Sequence, residues 1–370
     1  MKALLIAVGV IALMAVGILF VGGVSPAIVV APEHIFDIGG LAVTNTMFTS
    51  WCVVLLLIAI SFFTRRGLKL IPSGFSAYVE GAVVAFLSIA ESVAGPVNGR
   101  RFFPLVGTIF FFVLTSNYVG LLPMNNIIGK PEPGHGVKQV VFSQTSVPLL
   151  GEVAYIPFKP TQIDTAAGEH PILPAGSEAG HGAALGSRGE AAVSREPVAT
   201  TPAAPAAEEE GAGQFSGALS PWFRSVNTDV NAPLAIAIFS FIFVEFWGLQ
   251  SLGPGYLKKF FAFDAIFKKG PFGIIDIFVG LLEMVSELSR MVSFTFRLFG
   301  NVFAGEVLLL MMAFLVPFVL VDVFYALELF VGLIQAFVFA MLTLVFAVTA
   351  VSHHGGEEHE GGHAEEHHGA

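Results

Sequence analysis

The most informative stretch of the sequence reads Ser293-Phe-Thr-Phe-Arg297-Leu-Phe-Gly-Asn301-Val-Phe-Ala-Gly-Glu306, with one arginine among apolar neighbours. No acidic residue lies three or four positions from Arg297, so its permanent positive charge needs a partner outside its own helical turn. A charge at the centre of a bilayer costs about 2.5–3.5 kcal/mol on insertion scales. An ionisable residue in such surroundings therefore indicates function, usually an ion path.

The composition of the chain indicates a membrane protein. Hydrophobic residues make up 55% of the 370 residues and charged residues 12%, about half of the share that is usual in soluble proteins. Long apolar runs predict an all-α polytopic membrane protein with about five core helices. Basic residues are few and clustered, which argues against nucleic acid as a partner. The single cysteine, Cys52, excludes an intrachain disulfide, and we expect neither a cofactor nor a metal.

The first third of the chain predicts membrane segments, with one ambiguity at the start. Residues 1–27 fit either a signal peptide or an N-terminal membrane helix, and the sequence leaves both alternatives open. Residues 28–123 predict a membrane region with spans near 46–63 and 103–122. The segment near 75–97 carries charged residues among small apolar ones and predicts an interfacial helix.

A second membrane region is predicted at 226–352. It contains a span near 233–250 and a helical hairpin of two long helices, 274–315 and 318–351, divided by Pro317. Each hairpin helix exceeds 30 residues and is about 50 Å long, against a hydrocarbon core of about 30 Å. Both helices must therefore tilt strongly, which suits a hairpin packed against the side of a cylindrical object.

Two other segments are predicted to lie outside the membrane. Residues 124–225 predict a flexible insertion, because 164–214 is dense in Ala, Gly, Pro and Glu with almost no aromatic residues. β-forming residues within 137–158 predict a short hairpin. The tail 353–370 alternates His, Glu and Gly, which predicts a solvated low-complexity segment, with metal binding as the weaker alternative.

The basic residues predict the orientation of the chain. Lys and Arg cluster in short segments at 64–69, 100–101 and 258–269, which the positive-inside rule assigns to the cytoplasm. Helix counting then places the insertion on the extracytoplasmic side and the C-terminus in the cytoplasm. We expect a bacterial inner (plasma) membrane, with an organelle as the alternative.

Polar residues follow one face of the first hairpin helix, with Ser286 beside them. At 100° per residue, four of them fall within a stripe about 60° wide: Glu283, Arg290, Arg297 and Asn301. Ordinary ion pairing at a solvated helix end is the alternative explanation for Arg290 and for the nearby Glu287. No such alternative fits Arg297, whose neighbours are apolar.

Two glutamates predict a second polar location. Glu306 lies nine residues beyond Arg297, about 13 Å along the axis and half a turn around it. An antiparallel hairpin about Pro317 pairs positions whose numbers sum to roughly 634, which puts Glu328 opposite Glu306 and Gln335 near Arg297. Facing carboxylates in a low dielectric favour sharing a proton, which makes one of them a candidate proton carrier. A structural hydrogen-bonded pair is the alternative.

Four blocks of the sequence resemble one protein family. The stretch from Ser293 to Glu306 resembles the signature of the F-type ATP synthase subunit a family, and Gln335-Ala-Phe-Val-Phe resembles the companion motif on its last helix. Thr228-Asp-Val-Asn231 and the segment from Asn117 to Pro123 are similar to two further family blocks.

The resemblance covers about 33–123 and 226–352 and implies the fold and function of that family. In that family a strongly tilted helical hairpin lies beside a ring of c subunits, each with a membrane carboxylate. Protons reach the ring through two aqueous half-channels, and their flow drives rotation and ATP synthesis. The implied role is a non-catalytic channel subunit of the H+-transporting two-sector ATPase. Its implied partners are the c-ring, subunit b of the peripheral stalk, the rest of FoF1 ATP synthase, and lipid.

Individual residues take implied roles from the family's motifs. Arg297 matches the essential arginine, which attracts the ionised ring carboxylate and separates the half-channels. Glu306 and Glu328 match positions of the outer half-channel, where the family often has a Glu and a His. The other matches form three groups: Asn301 and Gln335 near the arginine, Glu283 and Ser286 in the cytoplasmic half-channel, and Asn117, Asp229 and Asn231 at or near the outer one.

Two alternatives come from other functional classes. A stand-alone ion-coupled membrane transporter would use the same buried charges, but such transporters usually contain internal repeats, which this sequence lacks. An assembly or scaffold protein with a degenerate site is disfavoured by the intact charged positions. The sequence leaves the choice between H+ and Na+ open. It also assigns no role to the insertion or to the His/Glu-rich tail.

Overall fold

The described residues of the computed structural model form two compact units, a helical unit within 1–125 and 223–352 and a β unit within 126–222. The structure describes these ranges: 2–20, 31–67, 74–122, 125, 127–135, 138–147, 151–156, 162–164, 169–170, 173–174, 214–253, 256, 273–316 and 319–352.

Long helices dominate the helical unit. They are α1 (Lys2–Phe20), α2 (Asn45–Arg66), α3 (Phe75–Gly120), α4 (Asn231–Leu252), α5 (Gly273–Leu315) and α6 (Val319–Ser352). The five from α2 to α6 are long and apolar enough to cross a membrane. They confirm the predicted all-α polytopic membrane fold. A β-hairpin of β1 (His34–Ile38) and β2 (Leu41–Thr44) precedes α2, and a 3₁₀ turn (Val226–Thr228) precedes α4.

Short polar side chains explain where two of these helices begin. Thr44 is the N-cap of α2, and its hydroxyl accepts a hydrogen bond from the Met47 backbone N–H at 3.4 Å. Asp229 accepts a hydrogen bond from the Asn231 backbone N–H at 3.0 Å, at the first residue of α4. Both contacts satisfy backbone donors that a helix N-terminus leaves unpaired.

Helix α3 bends sharply at Gly95. The φ of 77° at this residue lies in the left-handed region, where glycine carries no steric penalty. Phe86 of the first arm stacks on Phe110 of the second arm, with ring centroids 4.2 Å apart. In a continuous helix these residues would be about 36 Å apart, so the first arm folds back onto the second. Whether the first arm lies at the membrane interface stays a prediction.

The core of the helical unit lies where α3, α4, α5 and α6 meet. Its fully buried side chains include Phe102 and Val106 of α3, Leu298 of α5, and Leu344 of α6. Small residues line the buried side of α6, namely Gly332, Ala336, Ala340, Ala347 and Ala350. Small side chains let helices approach closely, which is how membrane helices gain packing energy without a hydrophobic driving force.

The β unit contains eight strands among its described residues. They are β3 (Ile128–Glu132), β4 (Gly134–His135), β5 (Lys138–Val147), β6 (Gly151–Tyr155), β7 (Gln162–Asp164), β8 (Glu169–His170), β9 (Leu173–Pro174) and β10 (Gln214–Pro221). Six of them form an antiparallel sheet in the order β7-β5-β6-β3-β10-β9, and β4 pairs with β8. Since β10 also pairs with β5, the strands β5, β6, β3 and β10 close into a ring, and Phe142 of β5 is fully buried.

In the described parts of 127–174 and at 214–221, this sheet is found within the range 124–225, for which the sequence predicted a flexible insertion. The hairpin predicted within 137–158 is present as β5 and β6, but it belongs to a larger sheet that composition did not indicate. The strands that follow β6, namely β7, β8 and β9, have only two or three residues each. The sheet is completed by β10, which begins about 70 residues beyond the end of β5. The segment 175–213, which holds most of the low-complexity sequence, lies outside the described residues, as does the tail 353–370.

The buried side of α6 predicts a matched pair of stability changes. Leu344 is fully buried and Leu327 is 47% exposed, both on α6. Leu344→Ala should destabilise the helical unit by about 2–4 kcal/mol, because a cavity remains in a packed core. Leu327→Ala should cost far less, because its side chain leaves no enclosed cavity. Thermal unfolding of the purified protein in detergent measures both, and equal losses would contradict this core.

Candidate functional site

Arg297 lies on an exposed face of α5. Its guanidinium carbon is 5.9 Å from the Phe294 ring centroid, and none of the ion pairs among the described residues includes it. The neighbouring Val292 and Phe296 are more than half exposed. The structure therefore presents a fixed positive charge outward from an apolar helix face.

Small side chains lie on the same side of α5 as Arg297. Ser286 and Ser293 precede the arginine and Ala304 follows it, and all three positions are exposed. A stripe of small residues allows the backbone of another helix to approach closely. This face of α5 can therefore bring a second helix within reach of the guanidinium.

The hairpin contact between α5 and α6 joins two predicted site residues. The Asn301 side-chain amide donates to the Gln335 side-chain oxygen at 2.8 Å. Gln335 is buried, and its side-chain nitrogen has no hydrogen-bond partner among the described residues. This contact lies one turn beyond Arg297, within two residues of the predicted antiparallel register.

The two predicted glutamates lie close together along the same hairpin. The carboxyl group of Glu328 occupies the space that a Cβ atom at position 305 would need, so a larger residue at Gly305 would displace this carboxyl group. The adjacent Glu306 forms an ion pair with Arg224, whose Nε is 3.8 Å from a Glu306 carboxylate oxygen. Glu306 thus points to a different location from Arg297, as its helical position predicts.

A buried polar cluster surrounds this ion pair, where α2 begins and α3 ends. Arg224 donates to the backbone oxygen of Ala31 at 3.0 Å, and its backbone N–H donates to the Thr49 hydroxyl at 3.2 Å. The members of the buried polar cluster are Asn45, Thr46, Thr49, Ser116, Asn117, Arg224, Ser225, Asn227, Thr228 and Asp229.

Hydrogen bonds link the cluster to α4 and α6. The Thr46 hydroxyl donates to Asp229 at 3.1 Å, and Asp229 also accepts from the Asn231 side chain at 3.0 Å. The Asn227 amide donates to the Asn117 side-chain oxygen at 2.8 Å, and the Asn117 amide donates to the Gly332 backbone oxygen at 3.1 Å. Asn117 therefore belongs to one set of hydrogen bonds, and Asp229 and Asn231 belong to another, and both sets involve the buried polar cluster.

Several cluster atoms are buried without a hydrogen-bond partner in the described part of the chain. They are the side-chain nitrogen of Asn45, the hydroxyls of Ser116 and Ser225, and the side-chain oxygen of Asn227. An unpaired buried polar group costs about 1–3 kcal/mol, and such groups in proteins commonly bind ordered water. The buried polar cluster can therefore bind ordered water.

A second set of charges lies further toward the N-terminus of α5. Glu283 is half-buried and Ser286 is exposed. Glu287 is buried and accepts a hydrogen bond from Arg290 at 2.8 Å, and the Arg290 guanidinium lies 4.6 Å from the Phe346 ring centroid on α6. Glu287 and Arg290 are thus paired, as the alternative expected, but Glu287 is buried and not solvated.

Tyr256, just beyond α4, lies near this pair. Its side chain is buried, and burial together with a hydrogen bond to Glu245 raises the pKa of Tyr256 above its ordinary value. Glu287 contributes in the same direction and Arg290 opposes it. The phenol therefore stays protonated and can donate a hydrogen bond at neutral pH.

Sequence reasoning missed several residues of these clusters. Arg224 is the most informative omission, because it is a cation that directly follows Trp222 and Phe223 and lies nine residues before the predicted span near 233–250. That position alone was a usable signal. Thr46, Asn227 and Tyr256 carried none, since uncharged polar residues near helix ends are common.

Comparison with known proteins identifies the family of this chain. The family model described as ATP synthase A chain matches residues 47–347, which is most of the chain. The chain therefore belongs to the ATP synthase A chain family. Membership makes it an integral membrane subunit of the FoF1 ATP synthase complex, in the non-catalytic Fo sector.

Curated relatives match over nearly their whole length. ATP synthase subunit a of Gloeobacter violaceus is 26% identical over 89% of this chain and 92% of its own length. The subunit a of Moorella thermoacetica is 24% identical, with 88% and 99% covered, and that of Helicobacter acinonychis is 24% identical, with 86% and 97% covered.

The Arg224–Glu306 ion pair predicts a strong effect on stability. Arg224→Gln should lower stability by about 1–3 kcal/mol, because the buried Arg224 side chain loses its charged contact with the partly exposed Glu306 and its hydrogen bond to the Ala31 backbone oxygen. Arg101→Gln is the matched control: Arg101 is exposed and donates to Gln250 at 2.7 Å, so its loss should cost less than about 1 kcal/mol. Thermal unfolding in detergent compares the two, and similar shifts would contradict the buried pair.

Proposed function

We propose that this chain is the proton-translocating stator subunit a of F-type ATP synthase. It forms two aqueous half-channels to the c-ring and couples proton flow to ring rotation and ATP synthesis. The observation that carries the proposal is the exposed guanidinium of Arg297, which makes no ion pair among the described residues and lies beside small side chains. Its partner is then a carboxylate on a ring helix packed against α5.

The outer half-channel runs through the buried polar cluster to the hairpin. Protons enter beside Asp229 and Asn231, pass Asn117, and reach Glu306 and Glu328. The hydrogen bonds and the unpaired buried polar atoms of the cluster support this route, because such polar groups favour bound water. The proton then neutralises a ring carboxylate, and the neutral site can rotate into lipid.

The inner half-channel runs along the exposed side of α5. A ring carboxylate that has completed nearly a full turn releases its proton near Glu283 and Ser286. The half-buried carboxylate and the exposed hydroxyl lie one turn apart on this helix, which supports a polar exit between α5 and the ring.

Arg297 keeps the two half-channels apart. Its charge repels protons and attracts the ionised ring carboxylate, while Asn301 and Gln335 line the polar contact one turn away. A unit ion pair at about 4 Å in an effective dielectric near 20 is worth about 4 kcal/mol. This is enough to favour the ionised carboxylate, yet small enough for the pair to separate in each step of rotation.

The proposed orientation places the C-terminus in the cytoplasm of a bacterium, with the chain in the inner membrane. Arg65 and Arg66 end α2, whereas its first residue, Asn45, lies in the buried polar cluster. The basic residues and the buried polar cluster therefore lie at opposite ends of this span. With the basic end in the cytoplasm, as the positive-inside rule requires, the cluster lies toward the outer side. In the assembled complex the chain contacts the c-ring and subunit b of the peripheral stalk.

Removal of the arginine charge tests the proposal directly. Arg297→Ala should abolish ATP-driven proton pumping in inverted vesicles, because the ionised ring carboxylate loses its counter-charge and the half-channels are no longer separated. Arg65→Ala, the same change at an exposed helix end, should pump at the normal rate. Coupled pumping by Arg297→Ala at the rate of the parent protein would disprove the proposed mechanism.

The outer route predicts a second loss of activity. Glu328→Gln should lower the rate of proton pumping by at least about tenfold, since an amide cannot exchange a proton as a carboxyl group does. Asp322→Asn is the control on the same helix, where the side chain is exposed, and its rate should change little. Comparable effects of the two changes would argue against a specific proton path at Glu328.

A further inference from the structure

Arg290 and Arg297 lie on nearly the same line along α5. They are seven residues apart, which corresponds to about 10 Å along the axis and about 20° around it. The structure treats the two side chains differently. Arg297 is exposed and makes no ion pair among the described residues, whereas Arg290 is held by two contacts.

The first contact that holds Arg290 is an ion pair within α5. Its Nη1 is 2.8 Å from a carboxylate oxygen of Glu287, three residues earlier. The Glu287 side chain is 6% exposed and the Arg290 side chain 34% exposed, so the carboxylate is the desolvated partner of this pair. Buried charge-assisted hydrogen bonds of this kind are shorter and stronger than neutral ones.

The second contact comes from α6. The Arg290 guanidinium lies over the face of Phe346, 4.6 Å from the ring centroid, within the range of a cation–π contact. Both arginine and ring line a cleft between α4, α5 and α6, together with Ser240 and Met291. Arg290 is therefore directed into the helical unit and away from the side that Arg297 occupies.

We propose that Glu287 is a positioning residue that withdraws Arg290 from the ring-facing side of α5, so that Arg297 presents its charge to the c-ring without a competing cation. This inference rests on the proposed function. A released Arg290 would put a second fixed charge about 10 Å from Arg297, beside the inner exit near Glu283. The released Arg290 would attract the ring carboxylate to the wrong position along α5 and would repel the departing proton.

Removal of each partner distinguishes this role from simple structural support. Glu287→Met keeps the size of the side chain, removes the acceptor and releases Arg290. It should lower the pumping rate per assembled complex roughly tenfold. This is the scale of the effect that one extra unit charge has on another charge about 10 Å away in an effective dielectric near 20. Arg290→Met removes the competing cation, so pumping per assembled complex should stay within about twofold of the parent rate, whatever its effect on stability. The double variant should also pump normally.

Inverted vesicles measure ATP-driven pumping, and copurification of the catalytic head gives the amount of assembled complex. The inference is overturned if Arg290→Met reduces pumping per complex as much as Glu287→Met does, or if the double variant stays as slow as Glu287→Met. It is also overturned if Glu287→Met pumps normally. A proton relay through the pair predicts the first of these results, and a purely structural pair predicts the last.

Two further variants keep the test decisive. If Glu287→Met does not assemble, Glu287→Gln removes the negative charge that holds Arg290 while keeping the side-chain shape, so it should also slow pumping per complex, and adding Arg290→Met should restore the rate. Failure of that restoration overturns the inference. Arg297→Ala in the same assay separates the two proposals. Normal pumping by Arg297→Ala would contradict the proposed function itself. If Arg297→Ala does not pump while Glu287→Met pumps normally, only the proposed role of Glu287 is contradicted.

Discussion

A guanidinium on an apolar helix face is the constraint on which this architecture depends. Arginine does not deprotonate in proteins, so Arg297 must be compensated by a counter-charge or by water. The described residues supply it with no ion pair, only the Phe294 ring nearby. Helix α5 must therefore leave that face open to a counter-charge or to water, while its opposite face carries the packing that holds it in place.

Close packing along α6 provides that support and also gathers the polar groups. Gly332 and Ala336 let neighbouring backbones approach, and Asn117 then reaches the Gly332 carbonyl oxygen. Gly305 leaves room for the Glu328 carboxyl group in the same way. In a bilayer, hydrogen bonds and close contacts replace the hydrophobic effect as the source of helix association. The residues that make the helices pack are therefore also those that place polar side chains inside the membrane region.

The predictions from sequence succeeded where one local property was sufficient. Apolar length identified five long helices, and the register about Pro317 came within two residues of the contact between Asn301 and Gln335. The β unit was missed because its last strand, β10, lies beyond a low-complexity segment, and composition carries no information about such distant pairing. Arg224 was missed because its partner, Glu306, is 82 residues away in the sequence.

The sequence by itself determined that the chain is a polytopic membrane protein with a charge that its own helix cannot neutralise. Both conclusions follow from hydrophobic length and helical periodicity, which are local properties. Only the tertiary structure decided which arginine is exposed without an ion pair among the described residues and which is held by neighbouring side chains. Arg290 and Arg297 are almost equivalent in helical position, and the difference arises because α6 places Phe346 beside one of them while Glu287 neutralises it.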